Sequence, residues 1–287
     1  MEEHHHSFRA MNTDIDVFVV ADRRPSEAFL SVALLFEQQE QRFSRFRESS
    51  LLSRFNRGET IHEPWFAAAL RLAFELHTET LGLVNPAVLP SLTSAGYDTS
   101  FENVRGGRPT PSPVPPLGEA VHLDGERCTL LKGQIDLGGI VKGWTVDLAI
   151  EHLRQSFSGA LVNAGGDMKA LGSDAEGEGW FVEIEPPPDM RGSSGRLSGA
   201  LATSSVLRRR WISDSGAPAH HLIDPRTGLP STSGLLQVSV RAPNCARAEA
   251  WSKAVLIGGT PAFDRARSFG LHVAAWNGDG TLHGSVW

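Results

Sequence analysis

The chain reads Ile135-Asp136-Leu137-Gly138-Gly139-Ile140-Val141-Lys142-Gly143 near its middle. This stretch predicts an apolar strand, a Gly-Gly turn and the start of a helix, in that order. Glycines at such a junction let the backbone approach a ligand closely, and the free N–H groups of a helix start can receive a phosphate. Lys142 adds a positive charge there. The spacing is neither that of a dinucleotide-binding loop nor that of a P-loop, so a tight turn without a ligand is the alternative.

Two further segments carry polar groups next to apolar strands. Val162-Asn163-Ala164-Gly165-Gly166-Asp167 repeats the strand and double-glycine pattern, which suits either an amide nest for an anion or a tight hairpin or bulge. His221 lies in an apolar strand and is followed by Asp224 and Arg226. Such a histidine is either a structural residue or a base with an anion-binding group beside it. The residues alone leave both pairs of alternatives open.

A predicted helix late in the chain carries an acid and a base on one face. Glu249 and Lys253 are four residues apart, which by itself indicates an exposed ion pair that contributes about 0.3–0.5 kcal/mol. The run Arg208-Arg209-Arg210 indicates a basic cluster at a strand end, which could also meet a phosphate. Neither pattern identifies a function by itself.

Strand and helix patterns alternate along the chain without an internal repeat. A strand is predicted over 14–21, and helices are predicted over 26–43 and 64–81. Near the C-terminus, two apolar segments flank Asn277-Gly278, a strong hairpin signal. Hairpins mixed with helices predict an α+β fold, with mixed or antiparallel sheets and packed helices, rather than a doubly wound parallel sheet.

The 287 residues are predicted to form one domain in which two segments stand apart. Residues 1–10 include His4-His5-His6 and no apolar run, so they are expected to be a flexible N-terminus. Residues 106–117 contain five prolines and no apolar periodicity, which predicts a loop.

The composition excludes several classes of protein. Asp and Glu number 33 against 27 Lys and Arg, and the net charge of −6 argues against an electrostatic grip on nucleic acid. With 40% hydrophobic and 21% charged residues, the chain fits neither a disordered tail nor a membrane bundle. Two cysteines exclude a disulfide scaffold. No apolar stretch approaches the roughly 18 residues of a membrane span and no secretory signal is evident, so a cytoplasmic protein is expected.

In order and spacing, these segments resemble the ApbE-type flavin transferases, which are FAD:protein FMN transferases. The most specific matches are the Asp-Leu-Gly-Gly-x-x-Lys-Gly pattern from Asp136, the Asn-Ala-Gly-Gly-Asp run from Asn163 and the His-x-Ile-Asp-Pro-x-Thr-Gly run from His221. The resemblance spans about residues 8–260. Other matching segments are Met11-Asn12-Thr13, Phe43-Ser44-Arg45-Phe46, Ser53-Arg54-Phe55-Asn56, Asn85-Pro86-Ala87-Val88, Ala95-Gly96-Tyr97-Asp98, Ala202-Thr203-Ser204 and Ala248–Ala254.

The resemblance implies an α+β protein that binds FAD as its substrate and splits the FAD pyrophosphate with Mg²⁺. FMN then passes as a phosphoester to a threonine of an acceptor flavoprotein, and AMP leaves. The resemblance also implies that His221 is the base that takes the proton of the acceptor threonine. The implied flavin-binding residues are Met11, Leu83, Val84, Asn85, Tyr97, Asp136, Lys142, Gly165, Gly166 and Leu222, and the implied metal positions are Gly139, Glu249 and Lys253.

Four residues depart from the pattern of the family. Glu249 stands where Asp is usual and Lys253 where Thr is usual, while Asn85 replaces a frequent Asp and Asn12 a usual Gly. A charged lysine has donors and no lone pair, so Lys253 marks a metal position without being an expected ligand. These changes leave two alternatives for the site. It either depends on Mg²⁺, or the Lys253 ammonium pairs with Glu249 and the pyrophosphate instead. The alternatives to transfer are a non-catalytic FAD-binding protein and an FAD pyrophosphatase that releases FMN and AMP.

Overall fold

An eight-stranded sheet lies at the centre of the structure, which is a computed structural model describing residues 1–287. The strands of the chain are β1 (Glu2–Ala10), β2 (Thr13–Ala21), β3 (Ile61–His62), β4 (Val121–Asp124), β5 (Arg127–Leu130), β6 (Ala160–Ala164), β7 (Asp167–Leu171), β8 (Trp180–Ile184), β9 (Ser193–Leu197), β10 (Ala200–Ser205), β11 (Arg210–Ile212), β12 (Pro218–His220), β13 (Ile223–Asp224), β14 (Leu229–Pro230), β15 (Leu235–Ala242), β16 (His272–Asn277) and β17 (Leu282–Ser285). The helices are α1 (Ser26–Phe43), α2 (Leu51–Asn56), α3 (Pro64–Glu79), α4 (Leu89–Ser94), α5 (Leu117–Ala120), α6 (Val141–Arg154), α7 (Cys245–Gly258) and α8 (Thr260–Ser268).

The central sheet is antiparallel throughout. Its order is β1-β2-β6-β7-β10-β15-β16-β17, and every neighbouring pair runs in opposite directions. The predicted hairpin around Asn277-Gly278 is present as the pair β16–β17. Smaller sheets of two or three strands and the packed helices complete the fold. The predicted α+β class is therefore confirmed.

The two faces of the central sheet are covered by different elements. Because side chains alternate along a strand, Ile15, Val17 and Val19 of β2 all point to one face, where they are fully buried in the cluster that α1 and α6 complete. On the opposite face, the hairpin β8–β9 contributes Trp180 to a cluster that also contains Trp276 of β16. None of the helices combines the length and the apolar character that crossing a membrane requires.

The N-terminus differs from the expected flexible segment. Residues Glu2–Ala10 form the edge strand β1, which pairs with β2 over all nine of its residues. Residues 2–10 form a strand because their aromatic rings contact the protein on alternate faces, a pattern that is hard to see in the sequence because three of these residues are consecutive histidines. The His5 ring stacks on Phe18 at 4.3 Å, while the Phe8 ring meets Phe36 of α1 at 5.6 Å. These contacts hold the two faces of β1, so the expectation of a flexible N-terminus is wrong.

The segment before the Gly138-Gly139 turn and the Pro-rich segment 106–117 are both irregular. The predicted strand before the Gly-Gly turn is absent, because the Asn56 side chain takes both main-chain groups of Ile135, each at 2.9 Å, in place of a neighbouring strand. The Pro-rich loop is present, although its last predicted residue, Leu117, already begins α5. Main-chain bonds from this loop to Pro225 and Thr227, at 2.8 and 2.9 Å, hold it beside the segment that follows His221.

Candidate active site

One cavity of about 840 Å³ brings together His221 and all of the implied flavin-binding and metal positions, whereas Asp224 and Arg226 pair with each other outside it. It lies where the β1–β2 and β6–β7 turns meet the start of α6 and the middle of α7. The predicted residues that line it are Met11, Leu83, Val84, Asn85, Tyr97, Asp136, Gly139, Lys142, Gly165, Gly166, His221, Leu222, Glu249 and Lys253. Six cationic and six anionic side chains line this cavity, so it is neutral within a chain of net charge −6: Arg45, Arg47, Lys142, Arg208, Arg209, Lys253, Glu40, Asp136, Asp167, Glu183, Glu185 and Glu249.

The β6–β7 turn is a tight hairpin rather than an open amide nest. Gly165 and Gly166 have φ of 62° and 99°, which suits glycine, and a Cβ on Gly165 would collide with Thr13 Oγ1. The N–H of Gly166 already donates to Asn163 Oδ1 at 2.8 Å. The N–H of Gly138 is likewise used, since it donates to Asp136 Oδ1 at 2.8 Å. Two of the four glycine amides proposed as phosphate donors are therefore engaged within the protein.

The N-termini of α6 and α7 are satisfied reciprocally by acidic side chains. The Gly143 N–H in the first turn of α6 donates to Glu249 Oε2 of α7 at 2.8 Å. In the opposite direction, Asp147 of α6 accepts the N–H groups of Cys245 and Ala246 at the start of α7, at 2.9 and 3.0 Å. Negative charge at a helix N-terminus is favourable, so this exchange fixes the two helices and places Glu249 inside the cavity wall.

Gly143 packs closely against the backbone at the start of α7, and it supplies a test of the packing. A Cβ at this position would lie 2.7 Å from the Cys245 carbonyl oxygen, so Gly143→Ala is expected to destabilise the fold by about 1–3 kcal/mol through overpacking. The matched control is Gly118→Ala in α5, where the nearest atom is 4.0 Å away. Denaturant unfolding measures both, and an unchanged midpoint for Gly143→Ala would show that the helices can move apart freely.

Four charged side chains form a cluster inside the cavity. Lys142 Nζ pairs with Asp167 Oδ2 and lies 3.9 Å from Glu249 Oε1, while Lys253 Nζ lies 2.9 Å from the same oxygen. Burial lowers the pKa of Lys142 to about 8, which leaves it mostly protonated at neutral pH. Burial also opposes the ionisation of Glu249, but the charges of Lys253 and Lys142 prevail and hold its pKa below the usual range. The cluster is therefore two ammonium groups around two buried carboxylates.

The first of two adjacent histidines is a structural residue. His220 Nε2–H donates to the Ser231 carbonyl oxygen at 3.0 Å, and its Nδ1 accepts the Leu222 N–H at 3.3 Å. Both ring nitrogens are therefore occupied, and burial lowers the pKa of His220. His220 has no nitrogen left for a substrate.

The second histidine has a free nitrogen and lines the cavity. His221 Nδ1 faces the Arg209 carbonyl oxygen at 3.4 Å, and a carbonyl can only accept, so this contact favours the tautomer with the proton on Nδ1. Nε2 then keeps its lone pair and has no partner in the protein. Burial, followed by the positive charges of Arg209 and Lys253, holds the pKa of His221 well below its usual range. A neutral imidazole with a free lone pair is what a general base requires.

Arg45 is a cavity residue without a predicted role. Its guanidinium packs over the rings of Phe46 and Tyr97, with Cζ 4.2 and 4.5 Å from the ring centroids, and its Nε is 3.3 Å from Asp136 Oδ2. Nη2 is buried and has no hydrogen-bond partner. The sequence pointed to Arg45 only through the matching segment Phe43-Ser44-Arg45-Phe46. Asp167 is the last residue of the matching run that begins at Asn163. Neither motif by itself reveals that Arg45 pairs with Asp136 or that Asp167 pairs with Lys142.

The comparisons with known proteins decide the family. The sequence profile of the ApbE family matches residues 11–273, which is nearly the whole chain. The chain belongs to the ApbE family. Each of the three most specific motifs contributes residues to the cavity: Asp136 and Lys142 from the first, Asn163 and Asp167 from the second, and His221 from the third.

Curated relatives and solved structures resemble this ApbE-family chain over most of its length. The FAD:protein FMN transferase of Vibrio cholerae serotype O1 is 30% identical over 249 residues, covering 78% of this chain and 71% of that protein. The enzyme of the same description from Haemophilus influenzae is 28% identical over 238 residues, covering 75% and 68%. An ApbE protein of Thermotoga maritima matches with a TM-score of 0.87 at 24% identity, covering 99% of this chain and 97% of that one. The flavin transferase ApbE from Vibrio cholerae matches with a TM-score of 0.79 at 23% identity and the same coverage, and both structures show the shared fold.

Two departures from the ApbE pattern have local structural reasons. Asn85 Nδ2 donates to the Pro115 carbonyl oxygen at 2.9 Å, and its Oδ1 accepts the Ala87 N–H at 3.0 Å. An ionised aspartate could not make the first of these bonds, since it has no donor. Asn12 has φ of 62° in the β1–β2 turn, a conformation that asparagine tolerates better than most residues. Both asparagines therefore maintain the walls of the cavity.

The residues at the implied metal positions do not fit Mg²⁺. This ion requires near-octahedral oxygen ligands at about 2.0–2.1 Å. Glu249 offers one carboxylate, yet Oε1 holds Lys253 and Oε2 holds the Gly143 N–H. The Lys253 ammonium repels a cation and has no lone pair to offer. No group of three or more His, Cys, Asp or Glu side chains is arranged to hold a metal in this structure.

Proposed function

We propose that this chain is an FAD:protein FMN transferase, which moves FMN from FAD to a threonine of an acceptor flavoprotein and releases AMP. Membership of the ApbE family and the relatives described as FAD:protein FMN transferases support the reaction class. The observation that carries the proposal is His221, whose unpartnered Nε2 lines the same cavity as the Lys142 and Lys253 ammonium groups. A base and positive charge in one cavity are what phosphoryl transfer to a hydroxyl requires.

The transfer step assigns one task to each group. The threonine hydroxyl oxygen attacks the phosphorus of the FMN half, the bond from that phosphorus to the bridging oxygen breaks, and AMP leaves with that oxygen. His221 Nε2 takes the hydroxyl proton. Lys142 and Lys253 balance the negative charge of the phosphates, which is the main demand of phosphoryl transfer on a protein. Lys142 acts from a fixed position, because the Ala164 carbonyl at 3.2 Å and the Asp167 carboxylate both hold its ammonium.

The flavin end of the substrate fits the aromatic wall of the cavity. We assign the ring system to the part of the cavity lined by Tyr97, which packs against Arg45, whose buried Nη2 is a donor without a partner. A buried donor costs free energy unless it is satisfied, so a carbonyl of the ligand there would remove that cost. The cytoplasmic location, the single domain and the acceptor threonine stay predictions.

The test is a reaction with and without acceptor. Purified chain is incubated with FAD and either an acceptor flavoprotein or its threonine→valine variant, and AMP and covalently bound flavin are measured. We expect both products with the native acceptor and neither with the variant. Free FMN and AMP without any acceptor would instead indicate an FAD pyrophosphatase. Bound FAD without AMP under every condition would indicate a non-catalytic FAD-binding protein.

A further inference from the structure

Lys253 is a cavity cation with hydrogen-bond capacity to spare at the implied metal position. An ammonium has three donors. Lys253 uses one at 2.9 Å to Glu249 Oε1, and its contact with the Glu249 carbonyl oxygen is long at 3.5 Å. Lys142, by contrast, already donates to Ala164 and Asp167. Lys253 can therefore bind an incoming anion while it keeps its ion pair.

The surroundings of Lys253 hold its charge at the Gly-Gly turn. A Cβ on Gly139 would lie 3.4 Å from Lys253 Cε and 3.5 Å from Cδ, so the lysine chain passes directly over this turn. Its partner Glu249 is buried, with a side chain 1% exposed, while the Lys253 side chain keeps 18% exposure toward the cavity. Glu249 is itself fixed by the Gly143 N–H, so the ammonium is oriented before any ligand arrives. Such preorganisation is favourable for stabilising charge in a transition state.

We propose that the Lys253 ammonium replaces the divalent metal in this cavity, so that FAD binding and flavin transfer proceed without Mg²⁺. The inference rests on the proposed transferase function. Lys253 contacts the FAD pyrophosphate and stays with the AMP phosphate when the bond from phosphorus to the bridging oxygen breaks, while the threonine proton goes to His221. One ammonium carries half the charge of Mg²⁺. The neutral Asn85, in the same cavity, lowers the positive charge that the site must supply.

The first experiment uses the unmodified chain. FAD binding is followed by flavin fluorescence in excess EDTA and again in excess MgCl₂, and AMP release with acceptor is measured in the same two buffers. We expect each quantity to differ by less than about twofold between them. A tenfold or larger loss in EDTA, restored by MgCl₂ alone, would overturn the proposal. Because binding is read separately from transfer, metal-independent FAD binding without AMP release would contradict the transferase function and not the role of Lys253 in binding.

Variants then identify the charge that does the binding. Lys253→Met is expected to weaken FAD binding by roughly 10- to 150-fold, the range for loss of a hydrogen bond to a charged group. The control Lys132→Met removes an exposed lysine paired with Glu119 and is expected to leave binding unchanged. The double variant Glu249→Asp with Lys253→Thr replaces the ammonium by oxygen donors, and its FAD binding is expected to become dependent on Mg²⁺. Unaltered FAD binding by Lys253→Met in EDTA would also overturn the proposal.

Discussion

His221→Ala is expected to slow flavin transfer by about 10²–10⁴-fold, the usual contribution of a general base, while FAD remains bound. The His221 imidazole keeps a ring nitrogen with a free lone pair, whereas the neighbouring His220 uses both of its ring nitrogens on Ser231 and Leu222. Alanine removes the lone pair and leaves the charges of Lys142 and Lys253 in place. Single-turnover transfer measures the loss, and flavin fluorescence measures binding on the same samples.

The pH dependence of kcat/KM gives the same group a second signature. The neutral imidazole is the active form, so the rate falls as pH drops through the pKa of His221. Burial and the charges of Arg209 and Lys253 lower this pKa well below 6.5, which places the acid limb below pH 6.5. The acid limb is expected to disappear in His221→Ala, because the residual reaction no longer depends on this proton.

A matched control distinguishes the loss of the general base from the effect of replacing a histidine elsewhere in the chain. His272 is exposed on β16 and does not line the cavity, so His272→Ala is expected to keep the native rate and pH profile. A His221→Ala variant that transfers FMN within a few-fold of the native rate would contradict the base assignment. Loss of FAD binding to the same extent as transfer would instead show that the imidazole positions the substrate.

The turns and the helix start that line this cavity were predictable from the sequence, because each is formed by residues adjacent in the chain whose types favour that backbone conformation. Gly165 and Gly166 adopt positive φ in a two-residue turn, and the helix after Gly139 begins within two residues. The predicted strand over 14–21 and the predicted hairpin around Asn277-Gly278 are likewise present in the central sheet, as β2 and the pair β16–β17. The N-terminal strand was missed because His4-His5-His6 conceals the same alternation, which the structure shows through aromatic packing.

The remaining features depend on contacts between distant parts of the chain. Asn56 takes the place of a neighbouring strand for Ile135, which is 79 residues away, and the Gly143 N–H finds Glu249 across 106 residues. No local sequence pattern reveals that the Glu249 carboxylate already binds the N-terminus of α6. The expected free amides are therefore partly engaged within the protein, and we expect the lysines to contribute more of the phosphate binding than the glycine motifs suggested. The i,i+4 pair of Glu249 and Lys253 is present, but it is buried in the cavity rather than exposed.

Lys142→Met is expected to destabilise the fold by about 3–5 kcal/mol, the cost of breaking a buried ion pair. The Asp167 side chain is only 5% exposed, and removal of the ammonium leaves its carboxylate without a cation in the interior. Lys132→Met is the contrast, since the exposed pair with Glu119 contributes at most about 1 kcal/mol. Denaturant unfolding of both variants measures the difference between a buried and an exposed pair on one chain.

The double variant Lys142→Met with Asp167→Asn distinguishes folding from FAD binding. The introduced amide would still accept the Thr203 N–H, now 3.3 Å from Asp167 Oδ1, and it carries no charge to compensate, so most of the lost stability is expected to return. FAD binding is expected to stay weaker than native by roughly 10- to 150-fold, because the cavity has still lost the Lys142 ammonium. If binding returned together with stability, Lys142 would serve only to compensate Asp167. If only stability returned, its charge acts on the substrate directly, and the pair with Asp167 is what holds that charge in the cavity.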